Sequence, residues 1–238
     1  MTSQSHTPPF PRAASLIGGI ALLLIAVLAG IGYVGILSPL IESGDAVETA
    51  HDIADSELLF RLGVLLMITA AVLDVVVAAA LLALLGPVNR AVAVTAAGFR
   101  VAYSAVFVVA LTQLAIVPGL LDQPDRVLTS LASYHMIWQV GLILFAAHLL
   151  LVGYLVVRSG FMPRALGILI MIAGVGYLAD GIGTVLIADY TARISTVTFI
   201  GEVALIAWLL WTTNRWLRMS QETKVDGLQV SRFAANDE

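Results

Sequence analysis

Long apolar runs alternate with short polar segments along this chain, and the alternation repeats six times. Each run has about the length that an α-helix needs to cross a bilayer, roughly 20 residues with a range of about 17 to 25. The pattern therefore predicts an all-α, polytopic integral membrane protein with six transmembrane helices. These helices are predicted at about residues 13–37, 59–85, 91–117, 131–157, 165–188 and 196–213.

The first apolar run, residues 13–37, lies where a signal peptide would lie. The apolar core of a signal peptide has only about 7–15 residues, so this longer run is interpreted as a retained helix. A single transmembrane domain is then predicted for residues 13–215. It follows a short cytoplasmic segment, residues 1–12, and precedes a polar cytoplasmic tail, residues 216–238.

The composition excludes several classes of protein and site. The chain has 238 residues, of which 60% are hydrophobic and 12% are charged, whereas soluble domains have about 25% charged residues. There is no cysteine, which excludes disulfides, thiolate metal sites and cysteine nucleophiles. The net charge of −4 does not favour nucleic acid as a partner.

Arg and Lys are distributed unevenly between the two ends of the predicted bundle. If the helices alternate in direction, eight basic residues fall at one end and only Arg126 and Arg193 at the other. Because basic residues concentrate on the cytoplasmic side, both termini are predicted to be cytoplasmic. The scarcity of lysine beside abundant Ala and Val is typical of a GC-rich bacterial genome, which indicates the bacterial cytoplasmic (inner) membrane. The eight basic residues are Arg12, Arg90, Arg158, Arg164, Arg215, Arg218, Lys224 and Arg232.

The first predicted outer loop, about residues 38–58, contains six acidic residues and no Lys or Arg. Its "GDAVE" stretch is typical of a helix start, with Asp45 as the N-cap and Glu48 three residues later. Two interpretations are open: a solvated acidic helix on the outer surface, or a mouth or lid that attracts cations. The six acids are Glu42, Asp45, Glu48, Asp52, Asp55 and Glu57.

Five ionisable residues fall inside the predicted helices. Such side chains are costly in a membrane and usually face a bundle interior or a cavity. Counting residues from the cytoplasmic turns, at about 1.5 Å each, places Asp74, Arg100 and His148 at about 15–18 Å, near the bilayer centre. Asp180 and Glu202 are placed further out, at about 20–24 Å.

Asp74 and Arg100 lie at matching depth on two helices joined by a short turn, which predicts that they form a buried pair. Polar side chains continue from the ionisable positions, with Tyr103 one turn from Arg100 and Tyr177 one turn from Asp180. Two interpretations follow. The pair locks two helices with His148 as a third hydrogen-bonding member, or the group lines a cavity that binds a ligand or relays a proton. In a wet cavity, His148 would titrate between about pH 5 and 8.

Known catalytic and cofactor motifs do not fit the sequence. His135 and His148 share one predicted helix, about 20 Å apart and on nearly opposite faces, so a bis-histidine haem is not predicted. Ser159 lies in a predicted turn and lacks the histidine on another helix that a serine nucleophile would need. No cofactor, metal site or catalytic residue is predicted, and an intramembrane enzyme is the least favoured function.

Two blocks of sequence resemble a known family. They are "GDAVETAHDIADSELLFRLG", with the "LDVVVAAALLALLGPVNRAVAV" that follows, and "HLLLVGYLVVRSGFMPRALGILIMIAGVGYLAD". Over about residues 12–215 the chain resembles the bacterial multi-pass membrane family catalogued as domain of unknown function 4386. The resemblance implies the architecture and no activity, with Ser159 expected to cap the fifth helix. The family pattern is carried by Arg61, Asp74, Pro87, Asn89, Arg100, His148, Ser159, Gly160, Pro163, Tyr177 and Asp180.

The leading functional prediction is a binding or transport protein with a buried polar cluster. Its ligand would be a small molecule or an ion, with membrane lipids as surroundings. The alternative is a structural or accessory membrane subunit whose buried polar residues only lock helix packing. A water-filled pocket reaching Arg100 favours the first, and a dry, fully paired cluster favours the second. Candidate residues of a ligand or proton pathway are Asp74, Arg100, Tyr103, His148, Tyr177, Asp180 and Glu202.

Overall fold

The structure, a computed structural model, describes residues 12–41, 45–188 and 190–212. Within this part of the chain there are seven helices and no strand. Residue Glu42 and most of both predicted terminal segments lie outside the described residues. The helices are α1 (Arg12–Leu40), α2 (Ala46–Asp55), α3 (Glu57–Leu85), α4 (Arg90–Ala115), α5 (Pro124–Ser159), α6 (Arg164–Leu186) and α7 (Ser195–Thr212).

Six of the seven helices are long and apolar enough to cross a membrane. They correspond one to one to the six predicted runs, so the prediction of an all-α, multi-pass membrane protein is confirmed. The fourth span is longer than predicted: it begins at Pro124 rather than near residue 131. Pro is favoured in the first turn of a helix, because the missing N–H would have no partner there.

The first span contains a π-helical segment, Gly30–Leu37, between two α-helical parts. The hydrophobic pattern does not reveal it, because an apolar run is equally compatible with either helix type. Within the segment, a Cβ added at Gly32 would lie 3.1 Å from the carbonyl oxygen of Gly63 on α3. Glycine therefore allows α1 and α3 to approach closely at this level.

The acidic helix α2 lies at one end of the bundle, which we call the acidic end. Asp45 caps it as predicted, since its side chain accepts hydrogen bonds from the N–H groups of Val47 and Glu48, each at 2.9 Å. Thr49 and Ile53 are buried, and α2 packs against α5. The helix thus buries one face and leaves acidic side chains such as Glu48 exposed.

The six spans pack around the bundle in the order α1, α3, α4, α5, α6 and α7. The ring closes where α7 meets α1, since the Ser15 hydroxyl donates to the Leu209 carbonyl at 3.2 Å. Contact is most extensive between α5 and α6, where a Cβ added at Gly153 would lie 2.7 Å from the Gly167 carbonyl oxygen. Small residues at helix crossings are typical of membrane bundles.

The short turns define the end opposite α2, which we call the basic end. Asn89 caps α4 by accepting from the Val92 N–H at 3.2 Å, and Gly160 takes a left-handed φ of 72° after α5. The expectation that Ser159 caps the next helix is wrong. Its hydroxyl accepts from the Met162 N–H at 3.2 Å, inside the turn, whereas the residue before α6 is Pro163, which has no side-chain cap.

Candidate functional site

Asp74 on α3 and Arg100 on α4 form the predicted buried pair. The Arg100 Nε donates to Asp74 Oδ1 at 2.9 Å, and Nη2 donates to the same oxygen. Both residues are buried. The pairing was expected because the short α3–α4 turn brings the two positions to one depth, and the structure confirms it.

His148 on α5 completes this cluster. Its Nε2 lies 3.1 Å from the Arg100 Nη1, and its Nδ1 lies 2.9 Å from the Ala96 carbonyl oxygen. A carbonyl can only accept, so Nδ1 carries the proton and Nε2 accepts from the guanidinium. This arrangement describes a neutral imidazole, because a second proton would place an N–H against the N–H of Arg100.

The cluster of Asp74, Arg100 and His148 is dry. A small cleft beside His148 has aliphatic walls, and it has no room for a water molecule. The wet cavity on which the predicted titration of His148 depended is therefore not found at this position. What the structure shows is a paired, desolvated ion cluster that joins α3, α4 and α5.

An aromatic layer separates this ion cluster from the acidic end. At its centre is Phe145, whose ring lies 4.9 Å from that of Tyr103 and 5.3 Å from that of Tyr177. The same ring lies 5.8 Å from His148 and 5.3 Å from the guanidinium carbon of Arg100. Phe145 thus contacts the charged cluster through His148 and Arg100 and also packs against Tyr103 and Tyr177.

Asp180 and Glu202 were predicted to form one outer group, and the structure gives them different partners. Glu202 on α7 is half-buried and accepts from the Tyr177 hydroxyl at 2.8 Å. Asp180 on α6 is buried, and its Oδ2 accepts from the Ser195 N–H at 2.8 Å. The two carboxylates are held in neighbouring networks, without a hydrogen bond between them among the described residues.

Asp180 anchors the segment that leads into α7. Besides Ser195, its carboxylate accepts from the Ile194 N–H at 3.0 Å and from the Tyr190 hydroxyl at 2.8 Å. The hydrogen bond to the carboxylate raises the pKa of the Tyr190 hydroxyl above its usual value. These three donors fix the course of residues 190–195 across the acidic end.

A cavity of about 300 Å³ opens beside this segment. Of the predicted candidates, only Tyr177 and Asp180 line it, whereas Asp74, Arg100, Tyr103, His148 and Glu202 do not. Aromatic rings and polar side chains alternate around the wall. The lining residues are Tyr33, His135, Trp138, Gln139, Leu142, Tyr177, Asp180, Arg193, Ser195, Thr196 and Phe199.

Sequence reasoning missed most of this pocket. Arg193 was considered only for membrane orientation and His135 only as a rejected haem ligand. The one available signal was that Arg193 is among the few basic residues predicted at the outer end. No spacing rule connects the loop before α7 with positions on α1 and α5, so the grouping depends on the tertiary structure.

Comparisons with known proteins add a family and no activity. A family model described as a domain of unknown function (DUF4386) matches residues 17–212. A protein of Archaeoglobus fulgidus named "Uncharacterized protein" is 37% identical over 139 residues, which cover 58% of this chain and 76% of that protein. No solved structure matches the chain.

Proposed function

The chain belongs to the DUF4386 family, and from this premise we propose that it is a binding protein of the bacterial cytoplasmic membrane whose ligand is a small molecule held in the acidic-end pocket. The multi-pass architecture follows from the six apolar spans. The ligand-binding role is supported by one observation, the partly enclosed pocket among Tyr33, Trp138, Tyr177 and Arg193.

The size and wall of this pocket fit a small ligand. Ligand sites are typically concave, of about 300–1,000 Å³, with mostly apolar and aromatic walls and a few placed polar groups. The cavity of about 300 Å³ is at the lower end of this range. Trp138 and Phe199 provide apolar surface there, and Gln139 and Arg193 provide polar contacts.

The distribution of basic residues supports a pocket that faces the outside of the cell. Among the described residues, Arg12, Arg90, Arg158 and Arg164 lie at the basic end, and Arg61, Arg126 and Arg193 lie at the acidic end. The predicted excess at the basic end comes from Arg215, Arg218, Lys224 and Arg232, which lie outside the described residues. Under the positive-inside rule the basic end, with both termini, faces the cytoplasm. Residues 13–215 then form one domain whose pocket takes its ligand from the outer side.

A structural or accessory role is the second candidate, and the dry ion cluster is the observation that favours it. The paired Asp74, Arg100 and His148 join three helices and offer no space for a ligand. The two candidates differ in what they require of the pocket. Only a binding function requires that the pocket accept a molecule.

Two neighbouring positions on α7 provide the test. Thr196 lines the pocket, and the next residue, Val197, is 79% exposed and does not line it. Purified protein in detergent is screened against a library of small metabolites by melting temperature. Binding in the pocket predicts compounds that stabilise the wild type and Val197→Trp but not Thr196→Trp. If no compound distinguishes Thr196→Trp from the other two proteins, the structural role is supported instead.

A further inference from the structure

The geometry of the pocket points to a ligand class: we propose that it binds a small organic carboxylate with an apolar or ring-containing body, and that Arg193 binds the carboxylate group. This inference rests on the proposed binding function, and it adds the charge and shape of the ligand. It is carried by the hydrogen-bonding groups that the pocket leaves without partners and by the apolar wall around them.

The acidic group that lines the pocket, the Asp180 carboxylate, already accepts hydrogen bonds from the protein itself. The Asp180 carboxylate accepts from Tyr190, Ile194 and Ser195, and an oxygen with several donors around it has little capacity left for a ligand. Glu202 does not line the cavity, and its carboxylate accepts from Tyr177. The carboxylate that a cationic ligand would meet in the described wall is therefore one that already accepts three hydrogen bonds.

Among the uncommitted polar side chains of the pocket, Arg193 can only donate, whereas His135, Gln139 and Thr196 can donate or accept. The Arg193 side chain is exposed, and its guanidinium forms no hydrogen bond or ion pair with any described residue. The side chains of His135, Gln139 and Thr196 are likewise without a hydrogen-bond partner among the described residues. A guanidinium has five N–H donors in a planar fork that matches a carboxylate. A wall in which an uncommitted guanidinium is joined by other donors complements an acceptor-rich anion.

The apolar wall of the pocket favours a particular kind of body attached to the carboxylate group of the ligand. Tyr33 and Trp138 lie side by side with ring centroids 5.8 Å apart, and the rings of Tyr177 and Phe199 also line the cavity. Flat aromatic walls favour a ring or an apolar chain. The volume of about 300 Å³ limits this body to roughly the size of one or two rings.

The acidic helix α2 lies at the same end and repels anions, so its influence has to be compared with that of Arg193. None of the described acids of α2 lines the cavity. Charges separated by more than about 8–10 Å in water are largely screened at physiological ionic strength. The charges that line the cavity are those of Arg193 and Asp180, and the proposal requires the exposed Arg193 to outweigh the buried Asp180 there.

The sign of the electrostatic potential in the pocket is tested by labelling single introduced cysteines, since the chain has no cysteine of its own. Thr196→Cys reports on the pocket. Gly119→Cys is the matched control at the same end, because a side chain there has nothing within 4 Å. Each is labelled with an anionic (sulfonatoethyl) and a cationic (trimethylammonioethyl) methanethiosulfonate, and the anionic-to-cationic rate ratio is compared between the two positions.

The expected ratio at Thr196→Cys exceeds that at Gly119→Cys about threefold or more, the size of the effect of one unit charge several ångströms away in a partly aqueous site. Arg193→Gln should remove the excess, and Arg126→Gln, at another basic position of this end, should leave it unchanged. An equal or lower ratio in the pocket, or an excess that survives Arg193→Gln, would overturn the proposal.

Benzoate, benzamide and benzylamine then test the ligand class by protection of Thr196→Cys. Millimolar benzoate should slow labelling by the neutral reagent N-ethylmaleimide, and the amide and the amine should not. Protection by benzylamine alone would retain the binding function and reject the carboxylate. Absence of protection by all three would also reject the carboxylate, while the binding function is judged separately by the metabolite screen.

Discussion

Arg100 binds a single oxygen of Asp74 through two of its nitrogens, Nε and Nη2, in the dry centre of the bundle. Removing one partner of such a buried pair costs about 3–5 kcal/mol, because the other charge is left uncompensated. Asp74→Asn or Arg100→Gln alone should therefore lower the free energy of unfolding more than the double variant does. A double-mutant cycle in detergent or lipid measures this coupling. Additive losses would show that the pair does not act as a unit.

His148 should be a fixed acceptor for Arg100, with the proton on Nδ1. In ¹⁵N NMR of histidine-labelled protein at neutral pH, its Nε2 should show the shift of an unprotonated nitrogen. His148→Leu leaves the Arg100 Nη1 without an acceptor, which costs about 1–3 kcal/mol of stability. His148→Gln should lose less, because its amide oxygen can accept. A signal from a protonated Nε2 would contradict the hydrogen-bond assignment.

Residues 190–195 should be released from their contacts with Asp180 at alkaline pH. The pKa of Tyr190 is raised because its hydroxyl donates to Asp180, so the folded state favours the protonated phenol. The stabilisation is complete below the unfolded pKa of about 10 and is lost as the pH rises through the higher folded pKa. Alkylation of Ala192→Cys, relative to Gly119→Cys, should increase across this range. Tyr190→Phe should show no such step, and a step that persists would exclude Tyr190 as its cause.

The close approach of α5 and α6 should make Gly153 intolerant of a methyl group. A Cβ there would lie 2.5 Å from the Met171 Cγ and 2.7 Å from the Gly167 carbonyl oxygen. Gly153→Ala should therefore lower stability by about 1–3 kcal/mol, the range for overpacking. Gly98→Ala on α4 is the control, since nothing lies within 4 Å and Ala is the better helix former. Melting temperatures that fall equally in both variants would argue against the packing explanation.

The orientation of the bundle is tested with two single cysteines. The Arg/Lys bias predicts that Gly119→Cys is labelled by an impermeant maleimide added outside intact cells. Pro87→Cys, at the exposed basic end, should be labelled only after the membrane is permeabilised. The reverse pattern would place the pocket on the cytoplasmic side.

The spans and the ion pair could be predicted because both depend on counting along single helices. A short turn after Leu85 requires α3 and α4 to be antiparallel neighbours, and residue counts then set Asp74 and Arg100 at one level. The same counting placed Asp180 and Glu202 near each other in depth, but it could not choose their partners. The partners of Asp180 lie in the loop before α7, and the partner of Glu202 is Tyr177. The positions of these partners depend on how α6 and α7 pack.

The pocket could not be predicted for a related physical reason. Tyr33, Trp138 and Arg193 come from three separate parts of the chain. In the sequence, Tyr33 and Trp138 can each be explained as aromatic residues at a membrane interface, and Arg193 as a basic residue of a loop. The π-helical segment that includes Tyr33 could not be predicted either, because an apolar run is compatible with an α-helix and with a π-helix. Periodicity reports which face of one helix is buried, and it does not report which faces of several helices enclose a space.

The aromatic layer around Phe145 affects how a solute could pass through the bundle. The tilted and edge-on rings of Tyr103, Phe145 and Tyr177 lie between the acidic end and the buried Asp74–Arg100 pair. A route through both would have to separate Asp74 from Arg100, which is unfavourable while the two charges stay buried. Under the proposed binding function, a ligand in the acidic-end pocket would therefore exchange with one face of the membrane.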